Sequence, residues 1–154
     1  MLETPHIMVG AAIATKIPNP YIAIPLSFAS HFVLEKVPHW NPHLYTELKK
    51  DGKVTRQSTA IVIFDVILSL AFGIFVASLK LPDYSHATTI LLSCFASVLP
   101  DVVEGPYFFL GVKNDLIKKW IKWQRSIQAN AKPFWGLATQ IITIVAAFYW
   151  ILST

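Results

Sequence analysis

The sequence predicts an all-α integral membrane fold, a single domain over residues 1–154, and three observations carry that prediction. Hydrophobic residues make up 54% of the chain and charged residues only 14%, where a soluble domain of ordinary composition has about 25% charged; mean hydropathy is +0.50. Apolar runs at 59–81, 87–104 and 134–152 each approach the roughly 20 residues that a spanning helix requires. The basic residues are segregated: eleven of the thirteen fall in two stretches, Lys36 to Arg56 and Lys113 to Lys132.

Taken in chain order, the first two helices are short. Thr4-Pro5 and Asn19-Pro20 each place an N-cap residue before a proline at the first helical position, where the missing N–H costs nothing. They signal helices over 6–16 and 20–36. The first, at about 1.5 Å per residue, is too short to cross a bilayer and forms a hairpin with the second. No basic n-region precedes it and no small-residue cleavage site follows, which argues against a removable signal peptide. Helices over 59–81 and 87–104 follow, joined by a turn at 82–86 that carries Asp83 and no Lys or Arg. Over 114–131, Leu116, Ile117, Trp120, Trp123 and Ile127 recur at helical spacing with Lys118, Lys119, Lys122 and Arg125 opposite them, the pattern of an interfacial amphipathic helix drawn to anionic lipid headgroups. The last span is 134–152.

Lysine and arginine accumulate on the cytoplasmic side of membrane helices. Both basic stretches share that side if the hairpin enters and leaves there and the three long helices run out, in and out. The expected location is the cell inner membrane, multi-pass, with a cytoplasmic N-terminus. A net charge of +4 placed this way points to lipid and not to nucleic acid. The single cysteine, Cys94, excludes an intramolecular disulfide scaffold.

Ionisable groups within a bilayer cost at least about 2.5 kcal/mol each and are functional candidates by default. Here they cluster. His31 and Glu35 are four apart on one helix face, and His39 follows one turn later, just past Pro38. Asp101 and Glu104 are three apart in what the Gly105-Pro106 stop makes the last turn of the inbound helix. His6 opens the first helix, and Asp65 is the one carboxylate inside the 59–81 run. The topology drawn from lysine and arginine alone brings these groups to the cytoplasmic part of the membrane. Imidazoles and carboxylates in this number exceed what one structural zinc needs and suit two divalent ions that activate water and clamp a phosphoryl or ester oxygen. His43 reads as exposed, and His86 lies on the opposite side.

Thr4-Pro5-His6 leading to Gly10, then Ser30-His31-x-x-x-Glu35-x-x-Pro38-His39, then Leu99-Pro100-Asp101 resembles the bacterial inner-membrane metal-dependent hydrolase family of the YdjM type, itself distantly similar to zinc-dependent phospholipase C and nuclease P1. The likeness covers roughly the first 110 residues. It implies His6, His31, Glu35, His39 and Asp101 as metal ligands with Glu104 as a further one, and a hydrolase acting on phosphoester bonds. The Pro-Asp-x-Asp-His run of many members is replaced here by Pro100-Asp101-Val102-Val103-Glu104. The expected activity is therefore hydrolysis of a phosphoester or phospholipid-like substrate by a water activated on a divalent metal, zinc foremost, with Glu104 or Asp65 as general base. The rivals are a non-catalytic metal-binding or metal-transporting membrane protein using the same ligands, and a polar cluster that only fixes helix packing.

Overall fold

In the computed structural model, which describes residues 1–153, the elements are α1 (Glu3–Lys16), α2 (Pro20–Leu34), α3 (Leu44–Asp51), α4 (Arg56–Ser78), α5 (Tyr84–Val102), α6 (Gly105–Phe109), α7 (Asp115–Ile127) and α8 (Pro133–Leu152). No strand occurs among the described residues. Asn19 caps α2 as expected, its side chain accepting from the Tyr21 amide at 3.0 Å with Pro20 in the first turn. The start of α1 is different. Leu2 is its N-cap and offers no side-chain acceptor; instead Asp65 of α4 accepts from the Thr4 amide (3.3 Å), the Glu3 amide (2.5 Å) and the Thr4 hydroxyl (2.6 Å). A cap supplied from another helix lets α1 begin ahead of Pro5.

Short as it is, α1 is the axis of the bundle. It packs against α2, α4, α5 and α8, and Thr4 to Met8, Gly10 to Ala12, Ala14 and Thr15 are buried on all sides. Its small residues permit the close approach: a Cβ on Gly10 would lie 2.9 Å from the Ser93 carbonyl oxygen and 2.9 Å from Ser97 Oγ on α5.

α4 and α8 are the two helices long and apolar enough to cross a membrane. α4 is inside-out by the standard of a soluble protein. Its buried stripe is Ser58, Asp65, Ser69 and Gly73, then Val76 and Ala77, while Ile63, Phe64, Ile67, Leu70 and Ile74 are exposed. α8 repeats the pattern with Gly136, Gln140, Ala147 and Ile151 inward and Ile141, Ile142, Val145 and Tyr149 outward. Small and polar residues at helix contacts with large apolar ones outside is the arrangement of helices packed in lipid. α5 forms as a long helix but is not apolar enough to count with these two. The reason lies in its position, since it packs on α1, α2 and α4 and turns Thr89, Ser93 and Ser97 into those contacts.

Three further corrections concern the end assigned above to the cytoplasm. Gly105-Pro106 does not stop the chain's helical course but restarts it, because Pro106 fits the first turn of α6, and Glu104 is the N-cap of α6 and not part of α5. The basic loop after Trp40 contains a helix of its own, α3, tied to α4 by Glu47, which accepts from the Ser58 hydroxyl (2.5 Å) and the Thr55 amide (2.8 Å). α7 ends at Ile127, short of the expected 131, and Ala129 to Ala131 pair with the 35–39 segment in extended form.

Candidate metal centre

The last turn of α2, the first turns of α1 and the end of α5 meet at one point. His6 and His31 stack with ring centroids 4.2 Å apart. Ligand atoms of His6, His31 and Asp101 all lie within 4.8 Å of one another. Glu35 Oε1 lies 3.4 Å from His6 Nε2 and 3.7 Å from His39 Nε2, and it also accepts from the Met1 amino group. His31 Nε2 lies 3.8 Å from Asp101 Oδ1. The six residues expected to bind metal thus divide: His6, His31 and Asp101 form one group, Glu35 and His39 adjoin it through His6, and Glu104 stands outside the three-residue group, its buried Oε1 without a partner.

Two imidazoles are held by their outer nitrogens. His31 Nδ1–H donates to the Ser97 carbonyl at 2.8 Å, and His39 Nδ1–H donates to the Val37 carbonyl at 2.8 Å. Donation from Nδ1 leaves the lone pair on Nε2, the tautomer a metal ligand requires, and it also fixes the ring plane. His39 sits in the loop beyond α2, which is pinned by its amide donating to the Ala129 carbonyl (3.0 Å) and by the Ala131 amide donating to its carbonyl (2.8 Å). Burial holds the His39 imidazole below its ordinary value, which keeps it neutral at pH 7.

His6, His31, Glu35 and His39 are all fully buried. Buried polar atoms are nearly always hydrogen-bonded, so an unpartnered set calls for an explanation. Among the described residues, apart from Thr15 Oγ1 and Ser93 Oγ, every buried side-chain nitrogen or oxygen without a hydrogen-bond partner belongs to this region: Glu3 Oε2, both nitrogens of His6, Glu35 Oε2, His39 Nε2, Glu104 Oε1 and Gln124 Oε1. The Met1 amino group and the Gln124 amide donate into the cluster, yet carboxylate oxygens and imidazole nitrogens outnumber these donors, and together they are the donor set of a divalent cation. The residues present therefore fit a metal.

Asp65 has a different use from the base anticipated for it. Its oxygens are engaged by the first turn of α1, with Ser69 adding a hydroxyl contact to Thr4 at 3.0 Å. His43 is exposed and His86 is remote, bonding the Ala14 carbonyl at 3.0 Å. Two residues at the site escape a reading by motif. Glu3 stands three before His6, hence on the same helix face, and its Oε2 is buried and unpartnered. Gln124, buried on α7, donates to His31 Nε2 at 3.2 Å and to Asp101 Oδ1, so the positive edge of its amide occupies the two acceptors that a cation would take. A glutamine amid the apolar residues of an amphipathic helix was the available signal.

The inward face of α7 is narrow. Ile121 and Gln124 are buried, whereas Leu116 is 75% and Trp123 47% exposed. Trp120 Nε1–H donates to the Pro100 carbonyl at 3.1 Å, anchoring α7 to the end of α5. No protein-family model, curated protein or solved structure matches the chain.

Proposed function

We propose that this protein is a membrane-embedded, divalent-metal-dependent hydrolase working at the cytoplasmic face of an inner membrane on a phosphoester or lipid-like substrate. The observation that carries the reading is the convergence of unpartnered buried nitrogens and carboxylate oxygens on one point, with His31 and His39 presenting Nε2 because their Nδ1–H groups are engaged by backbone carbonyls. His6, His31 and Asp101 would hold one ion, and Glu35 and His39 with His6 would serve a second or share the first. When bound, zinc or a similar ion supplies Lewis acidity to a phosphoryl oxygen and to water. The chain supplies the rest. With Asp65 committed to the cap of α1, Glu104 is the remaining candidate base; burial pushes its carboxyl up to about 8, so it would act as a proton acceptor once a cation bound beside it had favoured the carboxylate. The stack of His6 on His31 and the covering α7 keep bulk water from the buried ligands.

The membrane setting is supported by the two spanning-length helices, by the inside-out surface of α4, and by the basic residues on the same side as the site. The test is metal content per chain in detergent-purified protein without a histidine tag, followed by a phosphoester screen. One to two equivalents of zinc or another divalent ion, lost in His31→Ala and Asp101→Ala together with any hydrolysis found, is the expected result. Metal content and hydrolysis unchanged in both variants would sink the reading.

A further inference from the structure

A cavity of about 1010 Å³ opens beside the ligand cluster and runs between α4 and α5, at the upper end of the size of small-molecule sites. Its two ends differ in chemistry. Away from the ligand cluster the wall is Val66 and Leu70 from α4, Phe95 and Val98 from α5, and Ile7 from α1; at the cluster it is Asp101, Glu104, Lys122 and Arg125, with Glu3 and Asp65 from α1 and α4. Val62 and Leu70 lie along one wall, a rise of about 12 Å at 1.5 Å per residue. Leu70 (57%) and Phe95 (53%) are also exposed at the outer surface, so the apolar end is open sideways between the helices.

We infer that this groove is the substrate site and that it takes a phosphate-headed lipid, entering laterally with its chain along Val66, Leu70 and Phe95 and its headgroup between the ligand cluster and Lys122 and Arg125. The assignment rests on the metal-dependent reading above and adds the substrate class to it. Charge complementarity identifies the occupant. The acidic groups at the mouth would repel an anion by themselves, so a phosphate needs the two basic side chains of α7 that line the same cavity, and a cation on His6, His31 and Asp101 would add to their pull. Arg125 is already oriented, its guanidinium 4.3 Å over the ring of Tyr45, which lines the same cavity. A free phosphate would use the mouth and leave an apolar groove of two helical turns without purpose, whereas a neutral lipid would use the groove and bring no anion to Lys122 and Arg125.

The test is direct binding to the full chain in detergent, zinc-loaded, with metal content measured in every sample. The probes are lysophosphatidic acid, monoacylglycerol of the same chain length, and glycerol phosphate. Lysophosphatidic acid should bind at least tenfold more tightly than either of the others. Lys122→Ala and Arg125→Ala, both surface changes, should each weaken it about fivefold without loss of metal, and Leu70→Trp should weaken long-chain and spare short-chain probes. Equal affinity for monoacylglycerol, equal affinity for glycerol phosphate, or indifference to Leu70→Trp in a folded, metal-replete protein would overturn the inference. The two readings fail separately. Metal retained with the lipid preference absent removes the groove assignment alone, and a lipid preference in protein that holds no metal removes the hydrolase and leaves the groove standing.

Discussion

A histidine becomes a metal ligand through the nitrogen that does not face the metal. His31 and His39 each place Nδ1–H on a carbonyl, of Ser97 and of Val37, and so present Nε2 without choice of tautomer. His39 carries a pH dependence that follows from its burial. Its folded value is depressed, so the neutral form contributes stability that is fully present above the ordinary histidine range of about 6.5 and is lost as pH falls through the folded value. Zinc affinity should accordingly be nearly constant from pH 8 to 7 and decline only on further acidification. The gap in unfolding temperature between the wild type and His39→Asn should close over the same acid range. A gap that widens on acidification would show that the imidazole is charged in the fold. At the carboxylate end, Asp101→Asn retains the acceptor for Gln124 but removes a charge from the ligand set, so metal should fall more than thermal stability of the metal-free protein.

Helices meet at this site only because caps and contacts come from distant parts of the chain, and this decides what the sequence could tell. The spacing of His31, Glu35 and His39 is legible because it lies within one helix and its continuation, and so is the Asn19 cap of α2. The long apolar helices were legible from length and composition. The start of α1 was not, since its cap is Asp65, some sixty residues away, and a lone aspartate in an apolar run reads equally well as a base or as a structural acceptor. Asp65→Ala removes the acceptor of three donors at the head of the central helix. A helix cap alone is worth about 0.5 to 2 kcal/mol, and burial of the orphaned donors adds to it, so the loss should reach about 2 to 4 kcal/mol with the metal ligands of α1 displaced. Asp65→Asn should recover part of the stability. Gln124 was hidden for the opposite reason: the apolar stripe of α7 reads as a face for the lipid interface, with Trp123 half exposed on it, and nothing in the spacing says that Ile121 and Gln124 turn to the bundle. Gln124→Leu should hold α7 in place through Ile121 yet raise the affinity for zinc, because the amide no longer competes for His31 Nε2 and Asp101 Oδ1. Unchanged affinity would mean that the amide does not stand in the ion's place.

The molecule as a whole is built with its polarity turned inward, and that inversion links the site to its surroundings. Buried Ser58, Asp65, Ser69 and Gly73 on α4 face the bundle while Phe64, Ile67 and Ile74 face out; in water such a surface would aggregate, and in lipid it is the stable arrangement. The candidate ligands lie at the end of the bundle where α2 and α5 finish, beside α7 with its Lys118, Lys119, Lys122 and Arg125. A site on the side favoured by basic residues should face the cytoplasm. The connections on either side of α4 test this together. Lys53 precedes α4 and Ser78 ends it, with Asp83 beyond the turn, so Lys53→Cys and Asp83→Cys report opposite faces if α4 spans. Cys94 is buried, 4% exposed, and provides a quiet background for labelling. In intact cells a membrane-impermeant maleimide should modify Asp83→Cys and spare Lys53→Cys, and permeabilisation should make both react. Labelling of both without permeabilisation, or of Lys53→Cys alone, would place the basic helix and the ligand cluster outside. The hydrolase we propose would then have to draw its substrate from the outer leaflet, where Lys122 and Arg125 would no longer face an anionic cytoplasmic surface.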